Sequence, residues 1–252
     1  MLLSAAPVFP EEASIDRVQF QMGTYAHVLI YGGTNADADA AFSEIRELDE
    51  LLSDYNPQSE ISEISRTAGM NPVRVSPQVL EVLMQAVYAA RETNGAFDPT
   101  IGALTIGVYR FEKGGEKVPG DEEIDRAKSL VNYKDLRISG NEVYLERKEM
   151  MLDLGGIGKG YAVEKAAGVL KKRGIKKGMV SLSGDIKVFS YDTEIGIWDP
   201  GGNSTIATFR KGAGELAIST SGGYERVINL GGKAYHHLLV PSSGKPGENS
   251  LA

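Results

Sequence analysis

Between residues 17 and 31 the apolar side chains of Val18, Phe20, Val28 and Ile30 recur at every second position around Gly23, the period of a pleated strand. That pattern predicts two paired strands or a hairpin. From 37 to 53 the period changes, and Phe42, Ile45, Leu48, Leu51 and Leu52 keep the spacing of one helical face. The segment Asp54-Tyr55-Asn56-Pro57 ends this helix, because a proline disfavours helical geometry in the residue before it. A second helix is marked at both ends: Ser76 can cap the first free amides, Pro77 suits the first helical position, and Gly95 can take the left-handed turn that closes it. Its predicted buried stripe is Val79, Leu80, Leu83 and Val87.

Farther along, a short acidic helix is predicted over 121–130, followed by strands over 136–138, 142–145 and 150–154, the last running into a glycine-rich turn. A third helix spans 159–173 and is closed by Gly174. Strands then follow over 178–182, 187–191, 194–197, 204–209, 216–219, 226–230 and 234–240. Helices first and strands in series afterwards predict an α+β fold of mixed helices and largely antiparallel sheets. No repeat and no linker-like stretch interrupts it.

A chain of 252 residues is long enough for one large domain or two small ones, and its 42% hydrophobic content supplies a core. The charged residues are dispersed, which argues against disorder. A net charge of -7 excludes a general nucleic-acid surface. The small basic cluster Lys171, Lys172, Arg173, Lys176 and Lys177 reads as cations at a helix C-terminus. Without cysteine there is no disulfide, thiolate metal site or catalytic thiol. No apolar run reaches the ~18 residues of a membrane span. The opening Met1-Leu2-Leu3-Ser4-Ala5-Ala6 reads either as the tail of a signal peptide or as a free start at Met1, with residues 1–16 forming an N-terminal segment ahead of a domain over 17–252.

Four segments carry candidate chemistry. In Asp153-Leu154-Gly155-Gly156-Ile157-Gly158-Lys159-Gly160-Tyr161 an apolar strand, four glycines and a helix start leave bare backbone amides that suit a pyrophosphate, or form a structural turn. The spacing fits neither a Walker A loop nor the dinucleotide G-x-G-x-x-G, since Tyr161 and Val163 stand where that motif needs glycine. The loop Gly95-Ala96-Phe97-Asp98-Pro99-Thr100 offers an aromatic face and hydrogen-bonding groups, or is an ordinary Asp-Pro turn. His236 and His237, adjacent on a predicted strand, point to opposite faces and do not chelate one metal together easily; one of them suits a general acid or base. Ser183-Gly184-Asp185 and Ser219-Thr220-Ser221-Gly222-Gly223-Tyr224 are hydroxyl-rich turns that suit ribose or phosphate contacts or serve as plain turns. Neither a G-x-S-x-G elbow nor an H-E-x-x-H pair occurs.

These segments, in this order, resemble the ApbE family of FAD:protein FMN transferases. The resemblance runs from Gln21-Met22-Gly23-Thr24 through Tyr55, the Ala96-Phe97-Asp98-Pro99 loop and the glycine segment to Ser183-Gly184-Asp185, Ser219-Thr220-Ser221-Gly222 and His237. It implies an FAD site formed by Met22, Tyr55, Ala96, Phe97, Asp98, Gly155, Tyr161 and His237, with FAD as substrate. It further implies Mg2+ as cofactor, with the backbone carbonyl of Gly158 as a metal ligand, and an acceptor protein whose threonine hydroxyl takes FMN as AMP leaves. His237 is the best general-base candidate, because its side chain alone among the matched residues titrates naturally near neutrality. A flavin-binding protein without transferase activity and a magnesium-dependent FAD pyrophosphatase are the rival readings. The family has Asp where Val240 stands and Thr where Ser243 stands, and it continues past the turn over 241–246 into a strand and a helix with an Asp-Ala-x-x-Thr motif that holds magnesium. No counterpart follows before Ala252, so the resemblance predicts a domain with its C-terminal segment missing. It also predicts a periplasmic, exported protein with no lipid-anchor cysteine, or a cytoplasmic one if Met1 is the true start.

Overall fold

The hairpin forms where the alternation places it, with strands Ser14–Gln21 and Thr24–Tyr31 paired antiparallel and Gln21 opposite Thr24. Met22 and Gly23 between them both adopt positive φ, 50° and 71°, the backbone of a tight two-residue turn that matches strand twist. Register assigns the faces. Val18 and Phe20 lie opposite His27 and Tyr25, whereas Val28 and Ile30 lie opposite Arg17 and Ile15, so the four apolar residues that set the period divide between the two sides of the sheet. The first pair is exposed and the second fully buried.

In this computed structural model the structure describes residues 5–6, 14–111, 118–190, 192–198, 204–212, 214–222, 227–230 and 233–247. Met1 to Ser4, Gly223, Tyr224, Arg226 and residues 248–252, which carry parts of the expectations above, lie outside them. The chain divides into two compact units, one from Met1–Asp49 and Lys159–Ser221, the other from Glu50–Gly158 and Gly222–Ala252.

The first unit is built on a five-stranded antiparallel sheet in which Glu215–Ile218, Asp185–Phe189, Lys177–Leu182, Thr24–Tyr31 and Ser14–Gln21 are neighbours in that order. One face buries Leu29, Met179, Ile186 and Val188 against Ile195, which belongs to a three-stranded sheet of Ala5–Ala6, Thr193–Trp198 and Thr205–Lys211. On the opposite face, Arg17 reaches Asp39 at 2.6 Å and Gln21 donates to the carbonyl of Phe42 at 3.1 Å, which places the helix Asn35–Leu52 there. Lys187, with only 12% of its side chain exposed, meets Glu164 of the helix Gly158–Lys172 at 2.8 Å and Glu215 of the neighbouring strand at 3.1 Å. A charge this deep persists only when paired.

The second unit is more helical. The helix Glu60–Arg66 is capped by Ser59, whose side chain accepts the Ser62 amide; the sequence reading passes over it because Pro57 draws attention to a loop and the helix is barely two turns long. Pro77–Glu92 is capped by Ser76 as expected, and its buried stripe is Val79, Val82, Leu83, Ala86 and Ala90, with Leu80 and Val87 only half-buried. The helix therefore turns its alanines inward, a choice that bulk hydrophobicity hides. The acidic helix is Asp121–Lys128, and a small sheet joins Val73–Arg74, Glu142–Leu145 and Leu136–Ser139. Two expectations are corrected here. Residues 150–154 make a single bridge, Met151 to Ile101, instead of a strand, because the Leu152 and Asp153 amides donate to Ser65 Oγ and to the Pro99 carbonyl and not to a neighbouring strand. The strand expected over 234–240 divides into Lys233–His236, paired with Val227–Leu230, and Leu239–Val240, paired with Lys245–Pro246, so His237 falls in the break.

The Lys187 cluster generates a pH prediction. Burial works against the Lys187 ammonium, yet hydrogen bonds to Glu164 and Glu215 outweigh it and hold its pKa above the usual lysine value. Lys171 and then Lys187 pull the Glu215 carboxyl below its usual range. A carboxyl whose folded pKa is depressed contributes stability above its unfolded pKa, about 4.3, and loses it as pH falls through the folded value. In acid titrations of unfolding midpoint the native chain is expected to lose stability below about pH 4 more steeply than Glu215→Gln. Parallel curves would remove this pair from the acid response.

Candidate functional site

The second unit carries most of the expected site residues, and carboxylates fix their loops. Asp98, only 5% exposed, accepts the amide and the hydroxyl of Thr100 on Oδ1, at 2.8 and 2.7 Å, and the amide of Tyr133 on Oδ2 at 2.9 Å. The buried Thr100 hydroxyl oxygen accepts the Asn132 amide at 2.8 Å. Asp98 thereby clamps the loop over 96–100 and leaves Ala96 exposed and Phe97 half-buried at its tip.

The glycine segment is held in the same way. Asp153 donates its amide to the carbonyl of Pro99 at 2.9 Å, accepts the Gly155 amide on Oδ1 at 2.8 Å and takes the Thr105 hydroxyl on Oδ2 at 2.6 Å. Thr105 opens the π-helical stretch Thr105–Tyr109, a rare geometry frequent at functional sites. Beneath the loop, a Cβ on Gly102 would stand 2.7 Å from the carbonyl oxygen of Met151, so that backbone contact requires glycine. Above it, the Phe97 ring covers Gly156, where a Cβ would come within 3.1 Å of the ring. Phe97 and the glycine segment are thus brought together, as their joint candidacy requires.

Gly158 sits differently. It is buried and opens the helix Gly158–Lys172, so its carbonyl runs along the helix axis toward the amides of the next turn. Gly155 and Gly156 are exposed ahead of it. Among the described residues no group of three His, Asp or Glu side chains stands close enough to hold a metal ion. These residues alone do not fit a magnesium site, because a hard cation prefers several carboxylate oxygens.

Tyr55 is half-exposed and lines a cleft of about 730 Å³ with Ser62, Arg66, Met70, Ile106 and Met151. The sequence reading misses this cleft, since its walls come from five separate segments, none with a motif. Two of its cations are engaged: Arg66 donates to the carbonyl of Pro57 at 3.0 Å and Arg126 pairs with Glu149 at 2.9 Å. His237 follows Lys233–His236, where His236 Nε2 lies 2.9 Å from the carbonyl oxygen of Gly247. The turn beyond is pinned by Tyr109, whose hydroxyl donates to the Gly244 carbonyl at 3.0 Å and whose pKa burial pushes up to about 12.

The first unit carries Met22 and Tyr161. Met22, a non-glycine residue at positive φ, donates its amide to Asp49 Oδ2 at 3.2 Å. Tyr161 is 5% exposed, and the Lys165 ammonium lies 5.1 Å from its ring centroid. Near the helix start, a Cβ on Gly160 would stand 3.6 Å from Asp185 Oδ1.

An α+β protein with two carboxylate-clamped loops, one of them glycine-rich and opening a helix, is the class that fold and site define. A comparison with family models is consistent with it: the ApbE family model matches residues 22–252, and the chain belongs to that family. A Klebsiella pneumoniae protein described as an FAD:protein FMN transferase is 30% identical over 91% of this chain and 73% of its own length. A Vibrio cholerae protein of the same description is 30% identical over 82% of this chain, which spans only 64% of that relative. The crystal structure of the ApbE protein from Thermotoga maritima superposes with a TM-score of 0.86 at 28% identity, covering 92% of this chain and 78% of its own.

The close packing under the glycine segment yields a stability prediction. Gly102→Ala forces its methyl group into the Met151 carbonyl and should lower the stability of the fold by about 1–3 kcal/mol. A shifted denaturant midpoint with unchanged slope is the expected result, and an unshifted midpoint would show that the segment can give way.

Proposed function

We propose that this chain transfers FMN from FAD to a threonine hydroxyl of an acceptor protein and releases AMP. The observation that carries the reading is a family match over 22–252 that contains every candidate segment, among relatives described as FAD:protein FMN transferases. In this reaction the threonine oxygen attacks the phosphorus on the flavin side of the pyrophosphate. A new P–O bond forms, the bridging P–O bond breaks toward AMP, and the threonine proton is released.

The chain's own groups suit the parts. Gly155 and Gly156, exposed ahead of a helix N-terminus, carry no side chain, so a pyrophosphate can approach the backbone there, with the Gly155 amide itself already given to Asp153. Phe97 and Tyr55 offer aromatic faces to the flavin and adenine rings, and the cleft beside Tyr55 has room for one of them. The family resemblance adds Met22, Ala96, Asp98, Gly155 and Tyr161 to the proposed FAD contacts, Asp98 acting by shaping its loop. His237 contacts FAD and is proposed to accept the threonine proton. Since the described residues alone do not hold Mg2+, it would arrive on the FAD pyrophosphate, where a cation would offset the charge on the oxygens. Export to the periplasm is proposed on the resemblance alone; among the described residues no helix is long and apolar enough to cross a membrane.

The test begins with FAD, magnesium and an extract of the cells that make the protein, followed by in-gel flavin fluorescence to isolate the labelled acceptor domain. Incubation of that purified domain should then raise its mass by one FMN on threonine, with one AMP released per label. AMP without label would instead indicate an FAD pyrophosphatase, and FAD binding without AMP a carrier. His237→Ala is expected to slow labelling by about 100-fold or more if the imidazole takes the proton. An unchanged rate would leave His237 as a contact only.

A further inference from the structure

The reaction as described makes no use of the two hydroxyl-rich turns, yet in the first unit they meet the helix start. Ser219 Oγ donates to Asp185 Oδ1 at 2.5 Å. The Thr220 amide donates to the Gly184 carbonyl at 3.1 Å, and a Cβ on Gly184 would stand 2.8 Å from the Thr220 carbonyl oxygen, so no side chain can part the two turns. The Ser183 amide donates to the Tyr25 carbonyl at 3.3 Å, which sets both turns at the end of the sheet that carries the Met22-Gly23 hairpin tip. Gly160, exposed in the first turn of Gly158–Lys172, faces the same Asp185 oxygen. Three segments, around Gly160, Asp185 and Ser219, therefore meet at one half-buried carboxylate, within the unit that also holds Met22 and Tyr161.

Charge decides what such a corner accepts. A phosphate set against the Asp185 oxygen itself would meet a charge of like sign, so the first helical turn at Gly160 does not suit one, unlike the exposed glycines at 155–156 that precede the helix. An ionised carboxylate only accepts hydrogen bonds, and O–H groups serve it well. Ser219 displays that geometry. FAD carries two runs of neutral hydroxyls, the ribityl chain of its flavin half and the ribose of its adenosine half. We propose that Asp185 binds sugar hydroxyls of FAD, with Ser219 steadying its carboxylate, and that it keeps the pyrophosphate away from this corner. The proposal rests on the reading of the chain as an FAD-binding transferase.

The test measures FAD binding by quenching of flavin fluorescence, with riboflavin, adenosine and inorganic pyrophosphate as competitors, on the native chain and on Asp185→Asn. Loss of charge-assisted hydrogen bonds should weaken FAD by about 10-fold or more, while pyrophosphate competes as well as before or better. A matching loss for riboflavin assigns the ribityl chain, and one for adenosine assigns the ribose. Equal FAD affinity in both proteins would overturn the proposal. So would a parallel loss of all three competitors, which a merely structural strut would give. If Asp185→Asn does not fold, Ser219→Ala provides the second variant: it keeps the carboxylate, and a fall in sugar competition with pyrophosphate unchanged supports the proposal, whereas no change overturns it. Failure of the native chain to bind FAD at all would sink the transferase reading itself.

Discussion

The glycine segment cannot hold itself. Glycine gives the backbone freedom to approach a ligand closely and no side chain with which to fix that approach. Asp153 supplies the constraint. One of its oxygens closes the turn on Gly155 and the other ties the turn to Thr105 in the π-helical stretch, while its amide hangs from Pro99 in the loop that Asp98 clamps. Two acidic residues thus hold the backbone so that the exposed glycines at 155–156 and the Phe97 ring are presented together. Preorganisation of this kind is what a reaction dependent on positioning requires.

The sequence foretold the architecture better than the details of its surfaces. Caps and breakers, such as Ser76, Pro77 and Gly95, act through local backbone chemistry and were legible at once. The faces were less so. Val18 and Phe20 share the period of Val28 and Ile30 but lie across the sheet from them, since register across a hairpin depends on the turn and cannot be counted along one strand. Buried alanines in Pro77–Glu92 escaped for a similar reason, because close packing there selects small side chains over greasy ones.

The candidate site divides the same way. Motif-bearing residues were identified by type and order: Phe97 meets Gly156, and Asp98 sits in the loop that bears it. What Asp98 does was not legible, as a carboxylate in a short loop gives no sign whether it faces a ligand or its own backbone. The cleft beside Tyr55 left no trace in the sequence, because it is assembled from ordinary residues brought together only by folding. Asp185 gave a hint through its glycine and serine neighbours; its relation to Gly160 required the fold.

The division of the chain has a further consequence for how it is made. The strand Thr24–Tyr31 pairs on its inner side with Lys177–Leu182, and all of the second unit's first segment is encoded between them. On a ribosome moving at about 5–20 residues per second, the hairpin waits roughly ten seconds with Leu29, the residue later buried against Met179, Ile186 and Val188, uncovered. Residues 50–158 can collapse on local contacts during that interval, while the sheet must await a late partner. Nascent chains of this protein therefore pass through a stage in which the second unit still lacks Gly222–Ala252 and the first is half a sheet, and that is the stage at which a chaperone would have apolar surface to hold.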